Sequence, residues 1–362
     1  MTPPKIALID DGINPGCLPR NLPHTQSPIE HFIEHFIADG DAIRPCNPES
    51  GLTHGSACYS NFLRHTHAPH RLISIKVLDS ETGTGSKNAL VSALKWCSGQ
   101  GIDLLHMSMG TRQYLDFAHI AEAVEDLSGT VIVAACSNQN TLTFPACLPG
   151  VIGVRHCGID SLRGRFAWAH SPYDQINAFT CVEGGSNSAA APVVSARVCD
   201  YLADGAGLAE ILDRLKEDSV TDILKDPSFL SYGFYKDLLA EWEEFSVPVV
   251  AWPLGISEPD VSQIRKLLAA FTFDGYRAVC FSSSVKTDVR DFIFRLDPGT
   301  VALPALIELY YNFTLPDIVF LHMDVREAMS LPDCMKADIV VEPSWLGAGT
   351  DELFAKIKGL LS

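Results

Sequence analysis

Short, wholly apolar runs alternate along this chain with amphipathic or polar stretches, and that alternation predicts an α/β fold. The run Ile6 to Ile9 reads as a buried strand that delivers Asp10 to a loop, which Gly12 lets turn. Near the middle, Ser188 is followed by three alanines and Pro192, the pattern of a Ser near the start of a tightly packed helix with Pro in its first turn. From 247 onward the runs VPVVAW, YRAVCF, DIVFLH and ADIVVE alternate with SQIRKLLAAF, ALIELYY and DELFAKIKGLL. This second stretch predicts a small three-layer α/β domain with a mainly parallel sheet.

Three polar residues stand out against these runs. Asp10 lies at a strand end, His54 precedes Gly55, Ser56 and a run of small residues that could open a helix, and Ser188 begins the alanine-rich helix. A serine hydroxyl is a poor nucleophile at neutral pH, and it needs an imidazole to take its proton and a carboxylate to hold that imidazole in one tautomer. Asp, His and Ser in this chain order could fill those roles.

On these segments the chain resembles the subtilisin-like serine proteases (subtilases). Asp10-Asp11-Gly12 matches the family's Asp pattern, and His54-Gly55-Ser56 meets its His-Gly-Thr. Ser186-Asn187-Ser188-Ala189-Ala190-Ala191-Pro192 meets Gly-Thr-Ser-Met-Ala-Ser/Thr-Pro in part. The step from Ser188 to Pro192 is kept, whereas Asn187 stands for Thr and Ala189 for Met. Segment 72–110 is similar to the family's strand, amphipathic helix and strand ending in Ser-Leu-Gly. The resemblance makes Ser108, Met109 and Gly110 an edge for substrate backbone and one wall of the pocket. Segment 131–138, VIVAACSN, is similar to the strand that ends in the oxyanion-hole Asn. That implies Asn138 as an oxyanion donor, with Ala135 and Cys136 lining the substrate site. The implied catalytic set is Asp10, His54 and Ser188, without cofactor or metal, in a subtilisin-like three-layer fold with a mainly parallel sheet.

The resemblance covers about residues 1–200. The expected plan is a peptidase domain over 1–203, a helical connection over 204–246, and a smaller, noncatalytic α/β domain over 247–362. Its first strand–loop–helix lacks both G-x-x-x-x-G-K-S/T and G-x-G-x-x-G, so no phosphate cradle is expected there.

Composition narrows the setting. The chain has 362 residues, 47% of them hydrophobic, and a net charge of −17, which argues against nucleic acid or anionic membrane as partner. The start MTPPKIALID carries no charged-then-apolar leader, and no run of about 18 apolar residues follows, so a cytoplasmic protein is expected. Its 11 cysteines lack paired metal-site or redox spacings and fit a reducing compartment, most of them as small buried hydrophobes. HFIEH at 31–35 matches H-x-x-E-H, and on a helix His31 and His35 would share a face, but no further ligand site accompanies them. The expected partner is a peptide or protein substrate, with a regulatory or substrate-delivering partner at the C-terminal domain.

Overall fold

Wholly apolar strands need cover on both faces, and in the first unit of the computed structural model helices supply it. Residues 2–20, 33–239, 241–254, 261–297, 299, 301–345, 347 and 349–361 are described. In chain order the first unit holds β1 (Lys5–Asp10), β2 (Ile33–Asp39), β3 (Ala42–Pro45), α1 (His54–His65), β4 (Arg71–Lys76), α2 (Lys87–Ser98) and β5 (Leu104–Met107). It continues through α3 (Tyr114–Glu125), β6 (Val131–Ala135), β7 (Val151–His156), β8 (Phe166–Trp168), β9 (Ala178–Thr180), α4 (Asn187–Ala203) and α5 (Leu208–Glu217). The strand order is β3-β2-β4-β1-β5-β6-β7-β9-β8, parallel except for the β2–β3 and β8–β9 pairs at the two edges.

One face of this sheet, including Ile6, Leu8, Leu104, Val133 and Val154, packs against Tyr59 and Phe62 of α1 and Ala190, Val194 and Val198 of α4. Both helices are capped by a side chain: Thr53 Oγ1 accepts from Ser56 N, and Ser186 Oγ accepts from Ala189 N. Pro192 lies inside α4, in its second turn, because the helix begins at Asn187 rather than closer to the proline.

The first unit extends to Phe229 and the second begins at Leu230, with Gln113–Leu115 and Gln139–Thr141 also grouped in the second. The expected boundary at 203 falls inside this first unit. Ile211 and Leu215 of α5 are one turn apart and fully buried in the first core, so the segment after 203 is part of that unit and not a bare connection. A second difference concerns HFIEH: residues from Ile33 onward form β2, so His35 sits on a strand, while His31 lies outside the described residues.

The second unit holds α6 (Tyr232–Leu238), β10 (Val249–Pro253), α7 (Val261–Phe273), β11 (Ala278–Ser282), β12 (Ile293–Arg295) and α8 (Leu303–Thr314). After these come β13 (Ile318–Met323), α9 (Val325–Met329), β14 (Ile339–Val340) and α10 (Thr350–Leu361). Its sheet runs β12-β11-β13-β10-β14 with every pair parallel. Ile264, Leu267 and Phe271 of α7 and Leu353 and Ile357 of α10 cover one face. Tyr310 of α8 packs on Phe281 and Phe294 of the other, giving the three layers the alternation predicts. Among the described residues no helix is long and apolar enough to cross a membrane.

Candidate active site

β1 ends at Asp10, whose side chain is fully buried. Its two carboxylate oxygens lie 2.9 and 3.0 Å from His54 Nδ1 at the start of α1. A carboxylate only accepts, so Nδ1 carries the proton and Nε2 is left as the acceptor of the neutral ring. The hydrogen bond that His54 donates to Asp10 holds the His54 pKa well above the ordinary histidine value, with Cys58 a smaller influence in the same direction and burial opposing both.

The neighbouring Asp11 fixes the helix that carries His54. Its Oδ2 accepts from His54 N at 3.0 Å and its Oδ1 from Gly55 N at 2.8 Å, so one carboxylate serves two of the donors that an α-helix leaves free at its start. Burial pushes the Asp11 pKa up, and the two backbone donors pull against it. A Cβ at Gly55 would sit 2.5 Å from Gly12 O, so only glycine lets α1 approach the β1 loop this closely. At Gly12 itself φ is +93°, the turn the sequence predicts.

Ser188 lies in the first turn of α4 and is 7% exposed. His54, Cys58 and Asn61 share one face of α1 at spacings of four and three residues, and that face meets the start of α4. Cys58 Sγ is 3.7 Å from His54 Nε2 and donates to Ser188 O at 3.5 Å, while Asn61 Nδ2 donates to Ala189 O at 2.6 Å. The Ser188 hydroxyl donates to Ser186 Oγ at 3.4 Å. Asp10 and His54 are therefore in direct contact, and Ser188 is joined to them through Cys58.

Asn138 is exposed just beyond β6. Its Oδ1 accepts from Asn187 N at 2.9 Å, which leaves the amide N–H groups as what it can offer a ligand. Asn187 is buried and ties three segments together, since its Nδ2 donates to Ser137 O at 2.5 Å and its Oδ1 accepts from His156 N at 2.7 Å. Ala135 and Cys136 are buried at the end of β6. Ser108 is buried too, and its hydroxyl donates to Ser188 O at 3.0 Å. Met109 is partly exposed and Gly110 exposed, beside a backbone pair in which Thr111 and Phe144 exchange two 2.9 Å bonds.

Asp11 and Asn187 are residues of this site to which sequence reading gave no role, as are Cys58 and Asn61. The signal for Asp11 and Asn187 was a charged or amide side chain directly beside a proposed catalytic residue. Asp10, His54 and Cys58 form a group with metal-ligand chemistry, their ligand atoms within 4.8 Å of one another, but Asp10 and His54 are already spaced as a hydrogen-bonded pair.

The chain is similar to Subtilisin DY of Bacillus licheniformis, 34% identical over 111 residues, which is 27% of this chain and 37% of that one. It is 31% identical over 185 residues to Subtilisin of Bacillus pumilus, covering 47% of this chain and 62% of that one. The chain thus spans less than two thirds of the length of either relative. A solved structure described as a lanthipeptide protease is similar over 60% of this chain and 81% of its own, at 14% identity and a TM-score of 0.44. No protein-family model matches.

Proposed function

From the premise that this chain is a subtilase-like protein, we infer that it is a serine endopeptidase acting on a peptide or protein through an acyl-enzyme. The observation that carries this reading is the Asp10–His54 hydrogen bond, with Ser188 at the start of a helix packed on the one that bears His54. In this mechanism His54 Nε2 takes the Ser188 proton as Oγ attacks the scissile carbonyl, and Asp10 keeps the ring in the required tautomer and stabilises its charge. Asn138 and the Ser188 backbone N–H receive the oxyanion. The leaving amine takes the proton from His54, and water then hydrolyses the ester with His54 again as base. Ser108, Met109 and Gly110 line the substrate site together with Ala135 and Cys136.

The finer parts of the reading concern setting and substrate. All 11 cysteines are free, which supports a reducing, cytoplasmic location. A second folded unit alongside the subtilase-like one supports a restricted substrate, and we assign that substrate to the class of ribosomally made precursor peptides that are cleaved in maturation. For a delivering or regulatory partner at the second unit, the supporting feature is an apolar cavity of about 250 Å³ lined by Ala251, Pro253, Met323 and Met329.

Labelling of the full-length protein with a serine-directed fluorophosphonate tests the reading. Labelling is expected, and Ser188→Ala should abolish it. One observation favours a second reading, a scaffold that binds peptide without cleaving it: the Ser188 hydroxyl bonds to Ser186 rather than to His54. A well-folded protein that binds peptide but takes no label would establish that alternative.

A further inference from the structure

In an α-helix the carbonyl of Ser188 would accept from the N–H four residues on, but that residue is Pro192, which has none. The carbonyl is met from outside the helix instead, by Ser108 Oγ at 3.0 Å and Cys58 Sγ at 3.5 Å. The single Ser108 proton is committed to that bond. At the 2.7 Å contact between Ser108 Oγ and His106 Nε2 it is therefore the ring that donates. His106 Nδ1 is then an acceptor, and Ser195 Oγ donates to it at 2.7 Å.

Every member of this chain of bonds is buried, with His106 at 2% exposure and Ser195 at 0%. Burial drives the His106 pKa down to about 3, and the charge of His54 adds to the effect, so the ring is neutral at ordinary pH as this donor pattern requires. Ser188 and Ser195 are seven residues apart on α4, two turns along one face. From β5, His106 grips that face at two points, directly at Ser195 and through Ser108 at Ser188.

We propose that His106 is a positioning residue, which acts through Ser108 to hold the Ser188 backbone carbonyl that Pro192 leaves without a helical partner, and so sets the direction of the Ser188 side chain. The inference rests on the reading of Ser188 as nucleophile. It accounts for a buried histidine that the acyl-transfer steps do not use.

The test is the rate of inactivation by a rhodamine-tagged fluorophosphonate, resolved into probe binding and the chemical step, on full-length protein whose thermal midpoint is followed in parallel. His106→Phe should slow the chemical step by about 10- to 100-fold, the scale of a small misplacement of a reacting group, with probe binding unchanged. His106→Gln, which can both donate and accept, should restore most of the rate. In a Ser108→Ala background, His106→Phe should cost no more than about a further twofold, because the two act in series. Should His106→Phe fail to fold, Ser195→Ala takes its place in the same cycle with the same expected non-additivity. Losses that multiply in the double variant, or a wild-type rate for His106→Phe, would overturn the proposal while wild-type labelling at Ser188 stands. A folded wild type that takes no label at Ser188 would instead overturn the peptidase reading, and this inference with it.

Discussion

The backbone N–H of Asn187 donates to Asn138 Oδ1 across 2.9 Å, so the residue before Ser188 orients the amide proposed to receive the oxyanion. The Asn187 side chain fastens the same two segments a second time, through Ser137 O, and adds the end of β7 through His156 N. The Asn187 side chain thus joins the start of α4 to the segment after β6 and to the end of β7.

In the proposed role of Asn138, Asn138→Ala removes a donor offered only to developing charge. The expected result is a fall in kcat of about 10²- to 10³-fold with KM nearly unchanged. Asn187→Ala leaves buried backbone groups without that side chain and should cost about 1–3 kcal/mol of stability, read by chemical denaturation. An Asn138→Ala variant that lost substrate binding but kept its turnover would contradict the assigned role.

The pH profile follows from the Asp10–His54 bond. A histidine with a raised pKa is still protonated where a free imidazole would be neutral, and a protonated ring cannot take the Ser188 proton. Labelling should therefore rise with pH through an inflection above the ordinary histidine value near 6.5. The same shift stabilises the fold: the contribution is complete below the unfolded pKa and is lost as pH rises through the folded one. Asp10→Asn should lower the inflection, reduce the rate, and cost more stability at pH 6 than at alkaline pH. An inflection in the mutant equal to that of the wild type would count against Asp10 as the cause.

Gly55→Ala probes the approach of α1 to the β1 loop. The added methyl would meet Gly12 O at 2.5 Å and Asp10 Cβ at 3.2 Å, and backbone on one side of it cannot move aside cheaply. Overpacking of this kind costs about 1–3 kcal/mol, and here the displacement falls on Asp10 itself and on the residue next to His54. The variant should lose stability in that range and label at least tenfold more slowly, on the order expected for a misplaced base. Unchanged labelling would mean that the loop yields without disturbing the pair.

Much of this site was legible because each proposed catalytic residue sits where local pattern alone places an element boundary. Asp10 closes an apolar run, His54 follows a Thr that caps its helix, and Ser188 precedes alanines that let α4 pack closely. Cys58 and Asn61 follow His54 at helical spacing, so their common face could be drawn without coordinates. The bonds of Asn187 could not, since they join residues 31 to 50 positions away that only the folded sheet brings near. Nor could the link from His106 to Ser195, 89 residues apart. Amphipathic α5 advertised a buried face but not which core would bury it, and that ambiguity moved the unit boundary from 203 to 229. Strands of three residues, β8, β9 and β12, are too short for a period to register.

Arg155 on β7 and Asp174 form an ion pair at 2.5 Å with both side chains fully buried, and sequence gave no hint of it. Two charges withdrawn from water face each other there, so removal of one leaves the other without its counter-charge in a medium that solvates it poorly. Asp174→Ala or Arg155→Met should each destabilise the protein by about 3–5 kcal/mol, measured from denaturant midpoints at a fixed m-value. Replacement of both by apolar residues, Arg155→Met with Asp174→Leu, should recover most of that loss, because the desolvation cost disappears with the charges. The pair lies near Cys136, whose thiol is pushed up to about 12 chiefly by burial, and so beneath the strand end that leads to Asn138. If the pair also shapes that end, the double variant should regain stability but still label more slowly than wild type. Full recovery of both would make the ion pair a matter of folding alone, and a single variant losing less than about 1 kcal/mol would show that water or another group compensates the stranded charge.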